Sequence, residues 1–425
     1  MKNGKAATVA MSLMSMTATV AMAAILVAGD GPDPIFEKSA PITLAELSQK
    51  KIQGVSAVEV SDYAPGGYTG SLEPSPPHAD LNPRKAVVVS WEKNKNRFIF
   101  SHEASYCPLL ELPSGVAMGN QFFEGNLGDA ELFNNMGRKE KNSFVDVIQS
   151  GPERAWVRWT YFAVHMKDDS QPRLRGTEDY FAYPNGLVLR RATYRSLMPD
   201  EIIGYSTQPV ELYGVAPVDA RIKNLFPHNE KHGDYHVLAA LDLYGDQRYD
   251  IFWGEDGKAR RHGDDATLAA ISRSPGCALV LPLREGLLFA VLGQASGFSA
   301  RKNQLVDHCT PGARGGVGWE AGIWDHWPIG WRNAQVSYWK PGSPHSYHFG
   351  SIGQFLVPEG KWIESFSKDY KKSCENMELN RWTASRVFYV LLGSARDWDE
   401  VRRIGRSWLD KGKNCARPES IADLK

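Results

Sequence analysis

Neither sign of charge is in surplus in this chain: Lys plus Arg and Asp plus Glu each come to 49. Proteins that meet nucleic acid or a membrane through bulk electrostatics carry a basic excess, so the balance predicts neither partner. Cysteine is scarce, five in 425 residues: Cys107, Cys277, Cys309, Cys374 and Cys415. An odd count leaves at least one thiol unpaired, and a Cys374–Cys415 disulfide would tie down only the C-terminal region. Helical periodicity sustained over ten residues is rare before residue 385. The phosphate-binding loop, the dinucleotide fingerprint, G-x-S-x-G and H-E-x-x-H are all missing, and with them the chemistries those motifs carry.

Long apolar runs are missing too, with one exception. Residues 6–29 carry no charge, Lys2 and Lys5 precede them, and Asp30 ends them. That layout predicts a secretory signal over residues 1–29, with cleavage near Ala28 or Gly29 and a secreted or periplasmic protein. The run is long, so retention as an N-terminal membrane anchor, with the chain facing outside, is the alternative. No other membrane contact is expected.

Aromatic residues are abundant: 13 Trp, 16 Tyr and 17 Phe, which suits an all-β core, sugar stacking, or both. Residues 30–84 are rich in Pro and Gly and read as a linker or irregular wrap. Within them Thr43 and Glu46 predict a capping box that opens a short helix. Residues 85–415 form the main domain. Short runs such as AVVVSW, RFIFS, AWVRWTYFAV and CALVLPL alternate with turns such as SGPE, PNG and GEDGK, the rhythm of antiparallel hairpins. Strands from 85 to 395 suffice for an all-β propeller of about seven four-stranded blades, at about 45 residues each. No internal repeat is visible, so a sandwich or jelly roll fits the same rhythm. Near the C-terminus Trp398, Val401, Ile404 and Trp408 recur at three to four residues and predict an amphipathic helix.

One hairpin carries chemistry: TEDYFAYPNGLVLRRATYRS, residues 177–196. With Asn185-Gly186 as a two-residue turn, Tyr180 faces Arg191 and Phe181 faces Arg190. Arg195 then shares the face of Tyr180, about 13 Å along. A phenol beside guanidiniums suits β-elimination from a uronic acid. Arginine neutralises the carboxylate and stabilises the developing enolate. A tyrosine whose pKa the guanidinium lowers takes the α-proton and returns it to the leaving glycosidic oxygen. Cross-strand Tyr–Arg stacking on a solvated face gives the same pattern without chemistry.

Several stretches in order resemble the β-propeller polysaccharide lyases typified by ulvan lyases. They are SYCPLLELPSGVAMGNQFFEG (105–125), NSFVDVIQSGPERAWVRWTYFAV (142–164), EDYFAYPNGLVLRR (178–191), IWDHWPIGWRNAQ (323–335) with SPHSYHFGSIGQF after it, and RVFYVLLGSARDWDEVRRIGRSWL (386–409). The resemblance implies a propeller of about seven blades and elimination on an anionic, uronate-containing polysaccharide. It implies Tyr180 as the catalytic tyrosine and Arg195 as the carboxylate-neutralising arginine, whereas the hairpin pairing favours Arg191. The family's two histidines are replaced, by Gln121 in NQFFE and by Ser143-Phe144. Gln121 can donate to a carboxylate but cannot shuttle a proton, so His102 and His165 become the nearest substitutes. Asn120 and Gln121, with Trp327 and Arg332 of the DHWP stretch, are the expected substrate contacts.

No cofactor is required for this chemistry. His326, with His308 and Cys309, forms the candidate set for a structural zinc or calcium, which His345 and His348 would complete; buried, hydrogen-bonded histidines are the alternative. His228, His232 and His236 fall on a Pro- and Gly-containing stretch and predict no metal. Three functions follow: a secreted lyase, a non-catalytic glycan-binding protein that has lost the lyase histidines, and a glycoside hydrolase. The last would use paired carboxylates such as Glu178 and Asp179, or Glu124.

Overall fold

Thr43 opens helix α1 (Leu44–Gln49) with the expected capping box: its hydroxyl accepts from Glu46 N at 3.1 Å, and Glu46 Oε2 accepts from Thr43 N at 2.6 Å. Beyond it the chain is dominated by strands. The computed structural model describes residues 40–63, 85–102, 106–120, 124–125, 143–165, 168–196, 207–216, 222–231, 233–254, 259–296, 304–307, 347–356, 386–411, 421 and 424. All of them lie within the unit Phe36–Lys425.

The chain first lays down β1 (Val55–Val60), β2 (Ala86–Trp91), β3 (Arg97–Ser101), β4 (Pro108–Glu111), β5 (Ala117–Asn120) and β6 (Glu124–Gly125). It then moves to a second sheet with β7 (Ser143–Gly151), β8 (Arg154–His165), β9 (Asp168–Ala182) and β10 (Val188–Ser196). Strand β11 (Thr207–Ala216) returns to the first sheet, and helix α2 (Ile222–Leu225) follows. The second sheet then gains β12 (His228–Asn229), β13 (Asp234–Asp242), β14 (Arg248–Gly254) and β15 (Ala259–His262). After helix α3 (Asp265–Ser272) come β16 (Cys277–Leu283) and β17 (Gly286–Ser296). Strands β18 (Gln304–Asp307) and β19 (Tyr347–Leu356) close the first sheet, and β20 (Arg386–Ala395) and helix α4 (Trp398–Asp410) end the described elements.

The first sheet has nine strands, ordered β1-β2-β3-β4-β5-β11-β19-β18 with β6 beside β11. The second has eleven, ordered β15-β14-β13-β16-β17-β20-β10-β9-β8-β7 with β12 beside β13. All their pairings are antiparallel. The protein is therefore mostly β, built on two antiparallel sheets. The expected ring of seven four-stranded blades is not what the described strands form. Strands distant in sequence, β5 with β11 and β10 with β20, join local hairpins into two broad sheets. Local strand rhythm is the same in both architectures, because pairing partners are a long-range choice.

The main core lies between the sheets, with Val157, Trp159 and Tyr161 of the second sheet packed among Phe98, Phe100, Met118 and Leu212 of the first. A second cluster sits on the outward side of the second sheet. There Val401, Ile404 and Trp408 of α4 pack with Leu189, Val291, Ile421 and Leu424. The C-terminal helix is as the sequence predicts, capped by Asp397, which accepts from Glu400 N at 2.8 Å. A third cluster joins α1 to the other side of the first sheet through Leu47, Val60 and Ile99. Strand β1 lies inside the span read as an irregular wrap and forms the edge of the first sheet. No helix among the described residues is long and apolar enough to cross a membrane.

Candidate functional site

The hairpin of β9 and β10 turns through Pro184-Asn185-Gly186, one residue more than expected. Gly186 N donates to Tyr183 O at 2.9 Å, and Tyr183 N donates to Leu187 O at 3.0 Å. Gly186 has φ 82, the left-handed conformation that a three-residue loop closing on a bulge requires and that glycine adopts without a Cβ clash. The extra residue shifts the register by one. Tyr180 pairs with Arg190, and Arg191 pairs with Asp179. Side chains alternate between faces along a strand, so this single residue separates Tyr180 from Arg191.

Glu178 and Asp179 consequently point to opposite faces, and each gathers an arginine. On the inward face Arg190 grips Glu178 with both prongs of its fork, Nε to Oε2 and Nη2 to Oε1, each at 2.7 Å. Both side chains are completely buried. Three phenols donate to the same carboxylate: Tyr180 at 2.6 Å, Tyr161 at 2.8 Å and Tyr194 at 3.2 Å. Arg190 Nη1 reaches across to the first sheet, donating to Asn120 Oδ1 at 3.1 Å and Pro209 O at 2.9 Å. A carboxylate and a guanidinium in an apolar interior cost several kcal/mol each to desolvate, and this density of charge-assisted bonds offsets that cost.

Tyr180 therefore does not stand beside Arg191 in an open cleft. Its ring is 1% exposed and packs 5.4 Å from the ring of Phe98 and 5.1 Å from that of Phe100. Burial first, and then the charge of Glu178, hold its pKa well above the ordinary phenol value, outweighing Arg190. That is opposite in sign to the activation a general base needs. Tyr194 and Tyr213 are raised as well, both chiefly by burial.

A pH dependence follows. Below about pH 10 these phenols keep their protons in both the folded and the unfolded chain. Above it the unfolded chain releases them while the folded chain retains them, so stability falls as pH rises toward the folded-state values. In an alkaline titration, exposed tyrosines should ionise first. The sealed set should ionise only in a step that coincides with loss of the circular dichroism signal. Smooth ionisation of all 16 tyrosines with the fold intact would refute a sealed cluster.

The outward face is different. Asp179 accepts from Trp156 Nε1 and Arg158 Nε, both at 2.8 Å, and from Arg191 Nη2 at 2.7 Å. The side chains of Arg158 and Arg191 keep 20% and 28% of their exposure. Arg191 and Arg154 each lie 5.6 Å from the centre of the Phe181 ring, and Arg158 lies 5.2 Å from that of Trp156. Because Glu178 and Asp179 face opposite ways, they cannot flank one glycosidic bond as the paired carboxylates of a hydrolase must.

Of the other expected site residues, Asn120 is buried and joins the inward network. Arg195 pairs with Arg175 in backbone register, so its position falls on the face of Arg191 and not, as expected, on that of Tyr180; the one-residue longer turn moves it as it moves Arg191. Gln121, Trp327, Arg332, His308, Cys309, His326 and His345 lie outside the described residues, as do Cys374 and Cys415. Ser143 is buried and accepts from Trp159 Nε1 at 2.9 Å, while Phe144 is 40% exposed. His102 is buried, its ring 5.4 Å from that of Tyr106. His236 is buried too, stacked on Phe252 at 4.8 Å, with Nε2 2.9 Å from Asp250 Oδ1. Cys107 and Cys277 are buried; Cys107 Sγ lies 3.6 Å from both Asn120 O and Tyr213 OH, and burial pushes the thiol of Cys277 up to about 12. No group of three or more metal-ligating side chains occurs among the described residues. Sequence reasoning missed Tyr161, Tyr194 and Arg190 as partners of Glu178; their odd-even spacing relative to a correctly placed turn was the signal that could have found them.

No family model matches the chain, and no curated protein does. Among solved structures, heparan sulfate lyase HepC from Pedobacter heparinus aligns at a TM-score of 0.32 and 8% identity, covering 73% of this chain and 35% of that one. The galactose 1-epimerase from Lactobacillus acidophilus NCFM aligns at a TM-score of 0.34 and 10% identity, covering 80% of this chain and 99% of that one.

Proposed function

We propose that this chain is a carbohydrate-active protein that binds a uronate-bearing polysaccharide, with Arg191 meeting the acid group. One observation carries the reading. The two adjacent arginines of β10 have divergent fates: the fork of Arg190 is filled by Glu178, whereas Arg191 bonds Asp179 through Nη2 and stays 28% exposed. An arginine whose side chain keeps 28% of its exposure on a strand, with Trp156 nearby, is suited to pair with a carboxylate through its outer nitrogens. The aromatic-rich composition and the ordered resemblance to polysaccharide lyases support the same ligand class. In this reading the segment 1–29 exports the protein to where such polysaccharides lie. Neither this reading nor the next calls for a cofactor; a structural zinc or calcium at His308, Cys309 and His326 belongs to the same proposal.

Elimination is the second reading, favoured by the meeting of Tyr180, Asn120 and an arginine in one network. There Arg190, once released by Glu178, neutralises the uronate carboxylate, and Tyr180 takes the proton next to it. The position of Arg195, which the resemblance implies for that role, has the register parity of Arg191 and falls on the other face from Tyr180. The glycosidic C–O bond breaks to leave a carbon–carbon double bond, and the leaving oxygen receives the proton. Gln121, Trp327 and Arg332 hold neighbouring sugars. Glu178 must first release Tyr180, which makes this reading the more demanding of the two.

Incubating the protein with ulvan and glycosaminoglycans separates them. The expected result is retardation in polysaccharide-containing gels with no rise in unsaturated-uronate absorbance. A rise that Tyr180→Phe abolishes would establish the lyase instead. New reducing ends without that absorbance would mean hydrolysis, and no retardation by any acidic polysaccharide would overturn the ligand class.

A further inference from the structure

The outward face of β7–β10 extends well beyond Arg191, and its register arranges side chains in rows across the strands. Asp146 faces Arg158, Arg158 faces Asp179, and Asp179 faces Arg191, forming one row. The next row is Phe144, Thr160, Thr177 and Thr193, one from each strand. Beyond it Arg175 follows on β9, and it is exposed. Neighbouring strands lie about 4.8 Å apart and alternate residues about 7 Å apart, so the three threonines span about 10 Å with arginines on both sides.

We propose, resting on the reading above, that this threonine row is the docking track for a linear uronate polysaccharide laid across the strands. The three threonines are half-buried, and a threonine hydroxyl offers one donor and two acceptors to sugar hydroxyls. Arg158 and Arg191 meet carboxylates on one side, and Arg175 meets them on the other. Phe144, 40% exposed at the end of the row, gives a sugar ring an apolar platform. Charge selects the occupant: among the described side chains that β7–β10 place on this face, the arginines Arg154, Arg158, Arg175 and Arg191 outnumber the acids Asp146 and Asp179. The resulting positive field favours an acidic chain over a neutral one. The exposed aromatic at position 144 thereby has a role in the place where the resemblance led us to expect a histidine.

The test is affinity electrophoresis of the full chain in gels containing polygalacturonate, dextran sulfate or neutral dextran. Retardation by polygalacturonate is expected. Arg175→Gln and Phe144→Ala should each weaken it by about threefold to tenfold, the effect of one exposed contact, with an unchanged melting temperature. Arg403→Gln on α4, a side chain 55% exposed on another element, should leave it unaltered. Retardation that neither track variant alters would overturn the track while leaving the ligand class standing. Retardation by dextran sulfate alone would overturn the carboxylate assignment, and equal retardation by neutral dextran would overturn the electrostatic one. No retardation in any gel would remove the track together with the reading it rests on.

Discussion

Replacing Arg190 by methionine is expected to destabilise the protein by about 3–5 kcal/mol, the range found when one partner of a buried ion pair is removed. Glu178 would then lie in the interior with three tyrosine hydroxyls and no counter-charge. The bonds from Arg190 to Asn120 and Pro209, which tie the second sheet to the first, would also go. The double variant Glu178→Gln/Arg190→Met should recover part of the loss, because it removes both charges together. Urea denaturation monitored by tryptophan fluorescence measures this. The midpoint should fall with the slope unchanged for the single variant and rise partway back for the double. A single variant within about 0.5 kcal/mol of the parent, the ordinary range of surface substitutions, would show that the pair is not sealed.

Trp408→Ala should cost about 3–5 kcal/mol, as for other fully buried tryptophans. Trp408 is completely buried, and it seats on the second sheet where Gly293 leaves room for it. A Cβ at Gly293 would stand 2.5 Å from the indole. The loss should be felt first in α4, which joins the sheet through Trp408, Val401 and Ile404. Hydrogen exchange should accelerate across 398–410 before it does in β8 or β9. Uniform acceleration through both sheets would mean that the helix is part of one cooperative unit with the core.

The sequence alone carried a good deal of local structure. The capping box at Thr43, the amphipathic spacing of Trp398, Val401, Ile404 and Trp408, and the strands flanking Pro184-Asn185-Gly186 all follow from short-range rules. Each depends on residues within one or two turns of one another. What was not legible is long-range or hinges on one residue. Strand rhythm did not reveal that β5 pairs with β11 or β10 with β20, and so it did not separate blades from broad sheets.

The hairpin shows the same limit at the scale of a single side chain. Sequence determined that a tyrosine, two acids and two arginines would share these two strands. Tertiary structure decided which would meet, because one more residue in the turn moves every partner by one and sends it to the opposite face. It set Tyr180, Glu178 and Arg190 in the interior and left Arg191 and Asp179 on the outside. Burial then fixed their chemistry: the same phenol that a solvent-facing guanidinium would activate keeps its proton when it is enclosed beside a carboxylate.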